Sequence, residues 1–223
     1  MPMDATPGWT DMRIADVLRK WEQTPELKPV DMTPAEDKGV LALRQKVLGL
    51  QGRDEVPSDW RGHLYHATTL LRYLRSYVPA KDLEKGKDFE KHISKAAARV
   101  VDVHSWMEHA ATAMLPWLEE VVPPEVRALY DEHFPFTWAG RDKRGIPVLY
   151  GWAGLDSRGL VRETGLETFL AYDDKMAFFW EDQVFGAAAQ AGQGHSNAVF
   201  VFDLAGFEWS RCIPRDGRLN TRD

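Results

Sequence analysis

Seven consecutive residues late in the chain, AVFVFDL at 198–204, limit what everything before them can fold into. A strand with one face in water alternates apolar and polar residues. An unbroken apolar run is expected to be covered on both faces, inside a sheet with helices packed on it. Such a strand needs neighbours along both edges, yet 19 residues, 205–223, follow it, and they end in a polar stretch with Pro214, Gly217 and four arginines. They are too short and too polar to add another helix and strand. The expectation is an α/β domain that stops part-way, with an open apolar edge and one uncovered sheet face that aggregate or need a partner to cover them.

Upstream of about residue 134 the apolar spacing is helical. Ile14, Val17, Leu18 and Trp21 make one amphipathic helix, which Pro25 and Pro29 separate from the rest as a possible docking arm. At Thr33-Pro34-Ala35-Glu36 a capping residue, a proline at the first helical position and an acid three residues after the cap agree on a helix start, with Val40, Leu41, Val47 and Leu48 as its apolar stripe. Residues 51–59 read as a loop. Residues 68–77, TTLLRYLRSY, point Leu70, Leu71, Leu74 and Tyr77 inward and end at Pro79. A longer helix spans about 87–115, and Pro123-Pro124-Glu125 opens a short one. The period then changes: FPFTW, AGRDKRG and IPVLYGW read as strand, turn, strand, with Pro147 placing the second strand at an edge or a bulge. From Thr164 to about Gly186 the aromatics return to helical spacing, through Phe169, Tyr172, Met176, Phe179 and Trp180, before a Gly/Gln/Ala-rich connector at 186–197.

Composition narrows the function classes. The net charge of −6 argues against coating nucleic acid by bulk charge. A single cysteine, Cys212, cannot form an internal disulfide, residues 1–10 lack an apolar signal run, and no stretch approaches the roughly 18 apolar residues of a membrane span. A cytoplasmic protein is the expectation. Nine tryptophans are many for 223 residues and suit large flat buried surfaces, in a core or a ligand pocket.

Four segments, ATTLLRYLRSY, the helix with Trp106, FPFTWAGRDKRGIPVLYGWAGLD and AVFVFDLAG, occur in an order and spacing that resembles the CRAL-TRIO lipid-binding family. The matching motifs are Leu70 to Tyr77, Trp106, Lys143 to Val148 and Asp203 to Gly206, and the resemblance covers about 33–206. It implies an N-terminal helical bundle followed by a partial mixed β-sheet with flanking helices, an incomplete CRAL-TRIO fold. The divisions would be an arm at 1–32 with one short helix, a helical region at 33–130, and the truncated first part of a lipid-binding α/β domain at 131–223. It implies a protein that is not an enzyme, needs no cofactor, metal or nucleic acid, and extracts or presents one lipid at a transiently contacted membrane. The family's gating helix would lie after Phe207, so poor lipid binding is expected of this form.

The departures from the family pattern bear on the ligand. Tyr77 stands where an arginine is usual, and Ala198 and Phe200 fall where hydroxyl-bearing residues grip choline-lipid phosphate. Tyrosine positions become Trp138, Leu149 and Trp180. Trp138, Leu149, Trp180 and Phe200 are therefore the lipid-binding candidates, on a floor less polar than usual that favours a phosphoinositide or an apolar lipid over phosphatidylcholine. Aromatics at such spacings also serve as ordinary core.

Other residues have plainer readings. Arg72 and Arg75 suit a structural ion pair or solvated helix charge better than a phosphate or membrane contact. His63 with His66 and His104 with His109 have no Cys or second ligand set to complete a metal site, and the second pair, five apart, does not share a helical face. Asp203 resembles the first aspartate of haloacid-dehalogenase-type phosphotransferases, but Ala205 and Phe207 occupy the following motif positions, so it reads as a turn-capping residue. Ser210 and Cys212 have no catalytic signature around them. The alternatives to lipid binding are a helical interaction module at 11–130 and, more remotely, a phosphatase using Asp203.

Overall fold

The computed structural model describes residues 12–26, 28–29, 31–85, 88–113, 122–133, 136–144, 146–152, 156–182 and 198–203. It is a mixed α/β arrangement, mostly helical, with a three-stranded sheet.

Helix α1 (Ile14–Gln23), expected as an arm, belongs to the bundle: Ile14, Val17 and Trp21 are buried in its core. Helix α2 (Pro34–Leu50) begins at the expected box, with the Thr33 hydroxyl accepting the Glu36 N–H at 3.2 Å and the Glu36 carboxylate accepting the Thr33 N–H at 2.8 Å. Val40, Leu43, Val47 and Leu48 face inward, whereas Leu41 is half exposed. At 100° per residue, positions 40, 43 and 47 share a stripe and 41 falls on its flank. Gly39 lets α2 approach α3 (Ala67–Tyr77) closely, since a Cβ there would lie 2.8 Å from Leu74 Cδ2. Between them a 3-10 helix, Trp60–Tyr65, starts where the Asp59 carboxylate accepts the Arg61 N–H. Leu70, Leu71 and Leu74 of α3 are buried as expected, but Tyr77 is exposed. Pro79 ends α3 and leads into a short α4 (Ala80–Lys85) that the periodicity did not show. Helix α5 (Phe89–Ala113) closes the bundle with Ile93, Ala97, Val100 and Met107 inward. No helix among the described residues is long and apolar enough to cross a membrane.

After α6 (Pro124–His133), β1 (Phe136–Arg141) and β2 (Pro147–Trp152) form an antiparallel hairpin. The Asp142 carboxylate closes its turn by accepting the N–H groups of Arg144 and Ile146. Helices α7 (Ser157–Thr164) and α8 (Leu166–Phe179) lie in the connection to β3 (Val199–Asp203), which runs parallel to β2; the order is β1-β2-β3. Such a connection is what parallel pairing requires. Pro147 does not put β2 at an edge. β2 is central and the proline is its first residue, where a missing N–H costs little, while the bulge falls on β1 at Ala139.

β3 is exposed, as expected of a sheet with one face left uncovered, and the exposure extends to its other face as well. Phe200, Val201 and Phe202 are 51, 42 and 47% exposed, so residues of both faces meet solvent. The apolar run reports what the strand can pack against, and in this chain the described helices cover only part of one face. A second core, with Val122, Tyr130, Leu160, Tyr172 and Met176, joins α6, α7 and α8, and Trp180 packs at its margin. Phe178, two residues from Trp180, is buried in the bundle core instead, so α8 is shared by both cores.

Candidate functional site

The register of the sheet brings the candidate residues together. Trp138 of β1 pairs with Leu149 of β2, and Leu149 pairs with Phe200 of β3, so the three occupy one row on one face. The Trp138 side chain lies outside the described residues. Leu149 is buried and Phe200 is half exposed. Trp180, reaching in from the end of α8, stacks on Phe200 with ring centroids 5.7 Å apart and planes 14° from parallel. Phe200 in turn stacks on Phe202, at 6.2 Å and 12°. In the neighbouring row, Gly151 stands between Phe136 and Phe202 and contributes no side chain. The result is a flat aromatic surface, Trp180-Phe200-Phe202, at the open end of the sheet. Its means of binding are dispersion and the exclusion of water; it suits an apolar chain or ring.

The opposite face is more polar. There the Tyr150 hydroxyl donates to the Asp203 carboxylate at 3.0 Å, which accounts for Asp203 within the sheet. Positions 205, 207, 210 and 212 lie outside the described residues.

Polar residues hold the end of α8. Its last turn, 180–182, is π-helical. Arg72 Nη2 donates to both oxygens of Glu181, at 2.6 and 2.7 Å. Burial pushes the Glu181 carboxyl up, but the charge and hydrogen bonds of Arg72 outweigh it and hold it below the ordinary range. Asp182 accepts from Lys20 Nζ at 2.9 Å and from Trp21 Nε1 at 3.1 Å. Trp21 stacks on His63, at 4.6 Å, and on Phe178, at 5.6 Å. Earlier on α8, Asp174 accepts the indole N–H of Trp106 at 3.0 Å.

Arg75, like Arg72, faces carboxylates: its Nε donates to Glu36 at 2.7 Å and its Nη1 to Asp31 at 2.8 Å. His104 is buried with Nε2 3.1 Å from the Leu64 carbonyl. Among the described residues no group of three or more His, Cys, Asp and Glu is arranged to hold a metal ion.

A stretch of 141 residues is 30% identical to Protein real-time of Drosophila pseudoobscura pseudoobscura. It takes in 62% of this chain and 17% of that protein, so the chain spans less than a fifth of the curated relative it matches. No family model matches the chain.

Sequence reasoning missed Glu181 and Asp182. A signal was present: two acids close an apolar helix, FFWED, where the macrodipole disfavours negative charge. Acids so placed ask for cations from elsewhere, and Lys20 and Arg72 supply them.

Proposed function

We propose that, despite the poor binding expected of a form without the gating helix, this chain binds a hydrophobic lipid on the half-exposed aromatic face of its sheet, in a mixed α/β unit of CRAL-TRIO type, and acts in lipid transfer or presentation during transient contact with a membrane in the cytoplasm. The observation that carries this reading is the single row Trp138-Leu149-Phe200 with Trp180 stacked on its open end. The row draws one residue from each of the three strands, Trp180 adds a fourth from the end of α8, and none of the four is a charged residue. Burial of acyl chain contributes about 0.8 kcal/mol per methylene, so a surface of this kind competes with a bilayer when it covers enough of one chain. The ligand class follows from what the row lacks. With no hydroxyl at Trp138, Leu149 or Phe200 to meet a lipid phosphate, the row favours a neutral apolar lipid over phosphatidylcholine, and a phosphoinositide, the other candidate, would have to place its headgroup off the row.

The test is lipid retention. The 223-residue chain is incubated with phosphatidylcholine vesicles containing phosphatidylinositol and tocopherol as minor components, separated from them, and extracted for mass spectrometry. Enrichment of either minor lipid over phosphatidylcholine, lost in Phe200→Asp at an unchanged melting temperature, is expected. Absence of lipid above background, or retention of phosphatidylcholine at its share of the vesicle, overturns the reading and leaves the helical half as a protein-interaction module.

A further inference from the structure

We propose that Arg72, Lys20 and Trp21 are positioning residues for the aromatic face: by holding Glu181 and Asp182 they fix the Trp180 ring against Phe200. The inference rests on the lipid reading for its functional meaning, though not for its geometry. Trp180, Glu181 and Asp182 are consecutive in one π-helical turn, and consecutive side chains of a helical turn point in different directions. They therefore reach three different elements. Trp180 meets β3, Glu181 meets Arg72 and Thr69 of α3, and Asp182 meets Lys20 and Trp21 of α1.

The acid contacts are built to hold. Both oxygens of Glu181 are used by Arg72, with the two side chains 13 and 19% exposed. Asp182 gives one oxygen to Lys20 and the other to Trp21, and it is 2% exposed. Trp21 cannot readily follow a moving partner, because it is buried and stacks on both His63 and Phe178. Two adjacent carboxylates at the negative end of a helix repel each other and the macrodipole, so without these cations the turn would rotate toward water. Trp180 belongs to the same turn, its N–H bonded to the carbonyls of Met176 and Ala177, and would rotate with it. The face thus depends on α1 and α3, which contribute no residue to the row. By linkage, a ligand that presses Trp180 onto Phe200 strengthens the grip of α1 on Asp182 to the same degree.

The test reads the ring itself, without lipid. The full chain is labelled with 5-fluorotryptophan, and the Trp180 fluorine resonance is identified as the one lost in Trp180→Phe and moved in Phe200→Leu. Arg72→Gln and Asp182→Asn are each expected to displace that resonance. Arg72→Glu combined with Glu181→Arg should return it at least halfway. A Trp180 resonance that stays within a linewidth of its original position in both single variants, while the melting temperature falls, overturns the proposal and leaves the ion pairs as bundle contacts. Should Arg72→Gln not fold, Asp182→Asn and Lys20→Met decide the matter by the same readout. Displaced resonances in a chain that retains no lipid support the positioning and overturn the lipid reading alone.

Discussion

At the scale of single residues, the buried polar groups of the bundle set its response to acid. Burial pushes His63 and His104 each down to about 4, against partial opposition from Glu181 at His63 and from the Leu64 carbonyl at His104. Both rings leave Nδ1 buried with no hydrogen-bond partner among the described residues, so a second proton would enter where nothing accepts it. The unfolded chain takes up these protons below about pH 6.5 and the folded chain holds them off until about pH 4. Stability is therefore expected to be level above pH 7 and to fall as the pH drops from 6.5 to 4. At pH 5 the loss is about 2 kcal/mol per histidine. Urea unfolding at pH 7.5 and 5.0 checks this, and His63→Phe should remove part of the difference, the rest belonging to His104 and to His66, which burial also lowers. A midpoint that does not move with pH, or the full difference kept in His63→Phe, would contradict it.

At the scale of elements, α8 is the part on which the others converge, and its entry is set by one residue. Gly165 separates α7 from α8 at φ 84°, ψ 151°, a conformation that side-chain-bearing residues rarely adopt. A Cβ there meets nothing within 4 Å, so a substitution acts through the backbone alone. Gly165→Ala is expected to destabilise by about 1–3 kcal/mol through that strain. Equilibrium unfolding measures it, and a variant as stable as the parent would show that the joint is relaxed. The elements differ in how far the sequence announced them. The α2 start was legible because its capping box is local, and the hairpin because the apolar period changes. Helix α7 was hidden by Gly159, which reads as a breaker but is required there: a Cβ would lie 2.4 Å from the Asp156 carboxylate that caps the helix. The exposure of β3 was legible, because an apolar run states an appetite for cover that little else in the chain can supply, but its extent to both faces was not. Among the candidate residues, the row across the sheet followed from strand pairing. The clasp on Glu181 and Asp182 joins residues more than 100 positions apart, for which local spacing carries no information.

At the scale of the molecule, two cores share one helix and an aromatic face lies at the open end of the sheet. A net charge of −6 gives no general attraction to anionic membranes, so any approach to a bilayer must be local and largely apolar. Apolar residues on both faces of β3 also offer a surface to a second copy of the chain, so contact with lipid is best measured at low protein concentration. The direct measurement is quenching of tryptophan fluorescence by phosphatidylinositol brominated on its acyl chain, presented in vesicles to the chain and to Trp180→Phe. If the aromatic face takes up lipid, the bromine quenches the parent and most of that quenching disappears in Trp180→Phe. Equal quenching of the two proteins, or none in either, would contradict the account.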